Sequence, residues 1–286
     1  MHLYDVFRAR ITIKKKFNKK LGYLPNFRKP RSYCEKIQWL KLNHINFDKK
    51  VIERADKYAV RNFLVEKGFG RHLVSLYGSW DKPEDIDWGK LPCKFILKLN
   101  NGSGSKYLWF VKDKSDFSIP EFEKNVRKAM LVKFGHKGGQ FHYGKIPVKI
   151  IAEEYLEENG HPIKDYKFYC FHGKIAFLSV EEGKREGCHV REYYNLKWER
   201  NPVDFFNDVP RPSIPFVKPD GLQEMVHIAE TLSLGYPHIR VDLYYVNGAI
   251  YFGELTYTPE NGYTQWKPQS LDFEYGKLMD INNITH

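Results

Sequence analysis

Apolar residues along this chain switch between a period of about two and a period of about 3.6, and each switch predicts an element. Val6, Phe7, Ile11, Ile13, Phe17 and Leu21 recur at near-helical spacing through a basic opening segment that breaks at Leu24-Pro25-Asn26. A helix is predicted over 32–42, with Ser32 as its cap and Glu35 three residues later. A second is predicted over 48–68, ended by Gly68. Strands are predicted over 73–80, 93–99 and 106–111, the last two joined by a Gly/Ser-rich loop, and a helix over 120–134. Residues 135–144, rich in Gly and His, read as a solvated loop in which His136 and His142 lack a ligand set. Further strands follow over 148–156, 165–171 and 174–180. Within 165–171, Asp165, Lys167 and Tyr169 share one face, and Tyr166, Phe168 and Cys170 the other. Residues 181–200 carry no clear period, 202–219 read as Pro-rich loop, and 222–234 as an amphipathic helix.

That helix leads into the most informative stretch, residues 240–262, where two aromatic and aliphatic runs meet at Asn247-Gly248. Each arm carries one acid, Asp242 and Glu254. A strict two-residue turn would put these on opposite faces. A three-residue loop, Asn247 to Ala249, pairs Val246 with Ile250 and makes the acids face each other, sharing a face with Arg240, Tyr244, Phe252 and Thr256. This register segregates polar from apolar residues and is the one expected. Such a pair of carboxylates suits Mg²⁺ carrying nucleotide phosphates. It equally suits a salt-bridged hairpin in which Arg240 neutralises both acids.

Composition narrows the classes. The chain has 286 residues, 42% hydrophobic and 16% aromatic, enough for a packed core and unlike a disordered protein. No apolar run is long enough to span a bilayer, and the first residues lack the apolar core of a secretion signal. Four separated cysteines form no CxxC pair, which argues against zinc or a disulfide framework and for a reducing cytoplasmic setting. Residues 1–50 hold fourteen Lys and Arg against three acids, which accounts for the whole net charge of +11. This segment suits an anionic partner. Residues 1–22 fit either a helix lying peripherally on an anionic membrane or a helix packed on the body by one face.

Other candidates stand along the chain. Lys98 precedes the loop of Gly102, Ser103, Gly104 and Ser105, whose backbone N–H groups and hydroxyls could converge on phosphate. The setting is strand, loop, strand, and thus neither a Walker nor a dinucleotide fingerprint. Lys57 and Arg61 lie four apart on an expected helix, which alone is an ordinary charged face. Asp85-Ile86-Asp87 has the acid-x-acid form of a glycosyltransferase metal site but lies in a polar loop.

In their order, DKYAVRNFL, FILKLNNGSGS, IAEEYLEE, DYKFYCFHGK and RVDLYYVNGAIYFGELTYTP resemble the TupA-like ATP-grasp proteins of cell-surface polysaccharide and teichuronopeptide synthesis, over about 32–276. The resemblance implies an α+β fold. Two α+β subdomains with antiparallel sheets, 51–150 and 151–286, would enclose a nucleotide cleft after a short basic helical segment, 1–50. It implies ATP and Mg²⁺ as cofactors and a carbon–nitrogen ligase joining a carboxylate, such as a uronic acid, to an amine; no nucleic acid is expected. By the same resemblance Lys57, Lys98 and the loop Gly102 to Ser105 hold the phosphates. Glu153, Glu154, Tyr155 and Leu156 meet adenine, and Asp165 takes the ribose. Asp242, Glu254 and Thr256 bind metal, Thr256 standing where the family usually has Asn. Arg240 and Lys167 are the expected catalytic cations. The family commonly opens on a separate α/β domain. Here an acceptor site is expected instead from Arg28, Arg31 and the loop 189–200. A glycosyltransferase of the same pathway and a non-catalytic binder of anionic polymer remain the alternatives.

Overall fold

The computed structural model describes residues 3–102, 107–158, 163–184, 187–201, 204–205, 209–282 and 284. Ser103, Gly104 and Ser105 therefore lie outside the described residues. In chain order the first elements are α1 (Leu3–Leu21), α2 (Tyr33–Leu40), α3 (Lys49–Ala55), α4 (Val60–Glu66), β1 (Leu76–Trp80), β2 (Phe95–Leu99), β3 (Leu108–Val111), α5 (Ile119–Met130) and β4 (Ile150–Glu154). There follow β5 (Asp165–Phe171), β6 (Lys174–Glu182), β7 (Val190–Tyr194), β8 (Asp204–Phe205), α6 (Leu222–Ser233), β9 (Ile239–Val246), β10 (Ala249–Thr256), β11 (Trp266–Lys267) and α7 (Ser270–Leu278). The fold is α+β, as expected. One antiparallel sheet runs β1-β4-β2-β3, a larger one β10-β9-β5-β6-β7, and β8 pairs with β11.

Strand alternation decides which side of each sheet is dry. On β2, Phe95, Leu97 and Leu99 pack with Phe122, Val126 and Ala129 of α5, so Lys98 is left on the opposite face. On the larger sheet, Phe168, Leu178, Val180, Val241 and Leu243 pack in one core with Met225, Ala229 and Leu232 of α6. The opposite face is polar towards one end, where Asp165, Lys167, Arg240 and Asp242 stand.

The N-terminal segment is tied to the same body. α1 buries Ala9, Ile13 and Phe17, spaced four apart, so it packs by one face. α2 begins with the expected capping box. The Ser32 hydroxyl accepts from the Glu35 N–H at 3.1 Å, and the Glu35 carboxylate accepts from the Ser32 N–H at 3.1 Å. α7, for which the hydrophobic pattern gave no signal, lies against α2.

Four expectations are corrected. The helix expected over 48–68 is two helices, because Asp56 turns its carboxylate back to the Tyr58 N–H at 2.8 Å and to Asn100 at 2.9 Å. Lys57 therefore sits in the break. His142 is buried rather than solvated, donating through Nδ1 to the Asn46 side chain at 3.1 Å. A strand, β7, lies in the stretch without a clear period.

The fourth correction is the hairpin tip. Val246 pairs with Ala249 across a two-residue turn, with Asn247 and Gly248 both at positive φ, and not with Ile250. Asp242 nevertheless pairs with Glu254, because a β-bulge at Gly253 inserts one residue into β10. Phe252 then pairs with Leu243 instead of joining the acids' face. A Cβ at Gly253 would come within 2.9 Å of the Asp242 carbonyl oxygen and 3.2 Å of the Tyr244 ring. Gly253→Ala is thus expected to cost roughly 1–3 kcal/mol, read as a lower urea midpoint; an unchanged midpoint would contradict the bulge.

Two buried histidines give the fold a pH dependence. His238 donates through Nδ1 to the Cys170 carbonyl at 2.8 Å and accepts from the Tyr33 hydroxyl at 2.9 Å, which suits the neutral ring. Burial is the main cause that pushes both His238 and His142 down to about 3. Below the unfolded value near 6.5, the unfolded chain takes up protons that the folded chain refuses. Stability is therefore full above about 6.5 and declines as pH falls towards about 3. At pH 5 the loss should be roughly 2 kcal/mol per histidine. Urea unfolding at pH 7 and pH 5 tests it, and a flat profile would refute it.

Candidate active site

The site is built where the two sheets meet. On the larger sheet, register aligns Glu254, Asp242, Lys167, Ser179 and Tyr193 across all five strands in one row. The next row holds Thr256, Arg240, Tyr169 and Phe177, and the row on the other side holds Tyr244, Asp165, Glu181 and Arg191. Opposite residues in antiparallel strands share a face, so these side chains stand together.

Their charges interlock. The Arg240 guanidinium donates from Nε to Asp242 Oδ1 and from Nη2 to Asp242 Oδ2, both at 2.7 Å. Nη2 also reaches Glu254 Oε1 at 3.4 Å and Thr256 Oγ1 at 3.3 Å. Lys167 donates to Asp242 at 3.1 Å and to Asp165. The Thr256 hydroxyl donates to Glu254 at 2.9 Å. The reading in which Arg240 neutralises both acids is thus realised. Burial alone would raise the Glu254 carboxyl, but Lys57, Arg240 and Lys167 outweigh it and hold it down to about 2. Burial pushes Asp165 up to about 6 against the pull of Lys167. Its buried Oδ1 has no hydrogen-bond partner among the described residues.

The smaller sheet supplies further cations. Lys98 Nζ is 2.5 Å from Glu153 Oε2, and Arg61 Nη1 is 3.7 Å from Glu153 Oε1. The Lys57 N–H donates to the Asn100 carbonyl at 3.0 Å, which fixes the break between α3 and α4. Its ammonium donates to the Gly102 carbonyl and lies 3.5 Å from Glu254 Oε2, linking the two sheets. Lys57, Arg61, Lys98, Glu153, Phe252 and Gly253 line one narrow pocket of about 10 Å³. Glu154 accepts from the Ser75 hydroxyl at 2.7 Å, Tyr155 packs edge-on against Phe110, and Leu156 is buried.

Of the expected site residues that are described, the structure brings Lys57, Lys98, Gly102, Glu153, Asp165, Lys167, Arg240, Asp242, Glu254 and Thr256 into this one region. Glu154, Tyr155 and Leu156 end or follow β4 beside it. Arg61 was legible only as a charged helix face, yet it enters the pocket; its spacing from Lys57 was the available signal. Glu181 was not singled out, because it looks like the polar end of a strand. It lies 2.7 Å from Arg191 and 3.1 Å from His189, so the far edge of the row is charged too. Arg28 lies elsewhere, in a groove beside α1. Asp87 is exposed, paired with Lys90 at 3.0 Å and outside the site, so it builds no metal centre there.

A family profile described as TupA-like ATPgrasp matches residues 35–280. The chain belongs to the TupA-like ATP-grasp family. It is accordingly an ATP-grasp ligase that uses ATP with Mg²⁺. No curated protein matches the sequence. Among solved structures, D-alanine–D-alanine ligase from Bacillus anthracis is 17% identical with a TM-score of 0.48, covering 86% of this chain and 69% of that one. The enzyme from Helicobacter pylori is 15% identical with a TM-score of 0.48, covering 86% and 68%. Phosphoribosylamine–glycine ligase from Thermotoga maritima is 13% identical with a TM-score of 0.40, covering 74% and 51%.

The donor set fits a hard dication in kind. Asp242 and Glu254 offer carboxylates and Thr256 a hydroxyl, all oxygen. Among the described residues no three acidic, His or Cys side chains form a cation cage. An ion here would complete its shell with phosphate oxygens and water, as Mg²⁺ does at nucleotide sites.

Proposed function

We propose that this chain ligates a carboxylate to an amine through an acyl-phosphate, the carboxylate being a uronic acid or similar acid of a cell-surface polysaccharide and the amine an amino acid or small amine. The observation that carries the reading is the facing pair Asp242–Glu254, set among Arg240, Lys167, Lys57 and Lys98 where the two sheets meet. In this reading the subdomains divide at about 50 and 150, and the protein works in the cytoplasm.

Asp242, Glu254 and Thr256 would hold Mg²⁺, which when bound neutralises triphosphate charge. Lys57 and Lys98 exchange Glu254 and Glu153 for phosphate oxygens, and the loop from Gly102 to Ser105 covers them. The pocket is far smaller than the several hundred Å³ that a nucleotide needs, so ATP must part these ion pairs to enter. Glu153 to Leu156 meet the adenine, and Asp165, with one oxygen that has no hydrogen-bond partner among the described residues, accepts from the ribose. A substrate carboxylate oxygen attacks the γ-phosphorus and ADP departs. The amine then attacks the acyl carbon, phosphate departs with the bonding pair, and the nitrogen gives up one proton to the departing phosphate. Arg240 and Lys167 stabilise the charge on both transition states. This chemistry needs no protein nucleophile, and Cys34 and Cys170 are buried. Arg191, at the end of the row, supplies a cationic group for an acidic acceptor.

A screen of ADP release across uronic acids and amino acids with Mg²⁺ tests the proposal. Turnover that needs both an acid and an amine supports it. No ADP with any pair, beside tight binding of acidic polymer, would favour the non-catalytic alternative.

A further inference from the structure

A second concave feature lies away from the ATP site. α1 turns Phe7, Arg10, Ile11 and Lys14, spaced i, i+3, i+4 and i+7, towards Leu24 and Arg28 of the following loop, around a groove of about 630 Å³. The helix has already buried Ala9, Ile13 and Phe17 against the body, so this face is left over. Its apolar side chains are unusually open: Phe7 is 63% exposed, Leu24 67% and Ile11 43%. Among the described residues no carboxylate lines the groove, and no acidic residue occurs between Val6 and Cys34.

We propose that this groove and its rim form a seat for an anionic lipid surface. Basic groups alone would suit any polyanion. Exposed Phe and Leu between Arg and Lys suit an interface where acyl chains take the apolar groups and acidic headgroups the cations. A soluble acidic glycan can stack a sugar face on Phe7 but leaves the aliphatic Ile11 and Leu24 uncovered. The helix that carries the seat is fastened to the body on another face. Lys16 of α1 lies over the Tyr263 ring at 4.9 Å, at the end of the 259–262 turn that follows β10.

Co-sedimentation of the full chain with vesicles tests this independently of any ligase activity. Vesicles of phosphatidylcholine alone are compared with vesicles containing one third phosphatidylglycerol. Binding is expected only to the latter. The triple variant Arg10→Glu, Lys14→Glu, Arg28→Glu should weaken it by about 100-fold or more. Phe7→Ala with Leu24→Ala should weaken it by about tenfold while leaving binding to soluble polygalacturonate unchanged. These side chains are exposed, so both variants should keep the wild-type unfolding midpoint, checked alongside. Failure to bind the anionic vesicles overturns the proposal. So does vesicle binding that Phe7→Ala with Leu24→Ala leaves intact, which would make the cations alone, and not the groove, the binding feature.

Discussion

Replacing Arg240 by methionine is expected to lower the unfolding free energy by about 3 kcal/mol, since breaking a buried ion pair strands its partners. Arg240 is 9% exposed and holds Asp242 by two hydrogen bonds while reaching Glu254 and Thr256. Asp242 would keep Lys167, and Glu254 would keep Lys57, which sets the loss at the lower end of the usual range. Urea unfolding without Mg²⁺ measures it, and a loss below about 1 kcal/mol would mean that the cluster behaves like a surface pair. The same variant tests the metal reading. With the guanidinium gone, the facing acids carry more uncompensated charge, so Mg²⁺ alone should restore stability to Arg240→Met more than it stabilises the wild type. Equal responses would count against a metal at these acids.

Glu254→Gln should reduce ADP release by roughly 100- to 1000-fold, the scale seen when one preorganised electrostatic contact to a transition state is removed. The change is nearly isosteric, and the amide can still accept from Thr256, so the fold should survive. What is lost is the negative charge that would hold Mg²⁺ against the phosphates. Steady-state turnover with saturating ATP and the best acid–amine pair measures the effect. Activity within tenfold of wild type would remove Glu254 from the ligand set.

The elements that were readable from sequence are those with one wet and one dry face. Alternation in β5 and in β9 separated Asp165, Lys167, Arg240 and Asp242 from the core residues, and this placed most of the site. What escaped depends on partners distant in the chain. The break at Asp56 is stabilised by Asn100, and the burial of His142 by Asn46. β7 was unreadable because Glu192, Tyr193 and Tyr194 are all buried, on both sides of the strand, so no period survives. The expected hairpin had the right facing acids and the wrong tip, since a lone glycine in a strand does not announce whether it bulges.

That glycine sets a counting rule for the hairpin. The short tip puts β10 out of phase with β9 by one residue, and Gly253 restores the phase before Glu254 is reached. With the sequence unchanged, the two-residue tip without the bulge would pair Asp242 with Gly253 and turn the Glu254 carboxylate to the wrong side. A chain lacking Gly253 alone should keep Asp242 opposite Glu254 on an unkinked strand, because the residue after Phe252, which pairs with Leu243, is then Glu254. Equal numbers of paired residues on the two arms between tip and acids, rather than the identity of the turn, are what the acid pair demands.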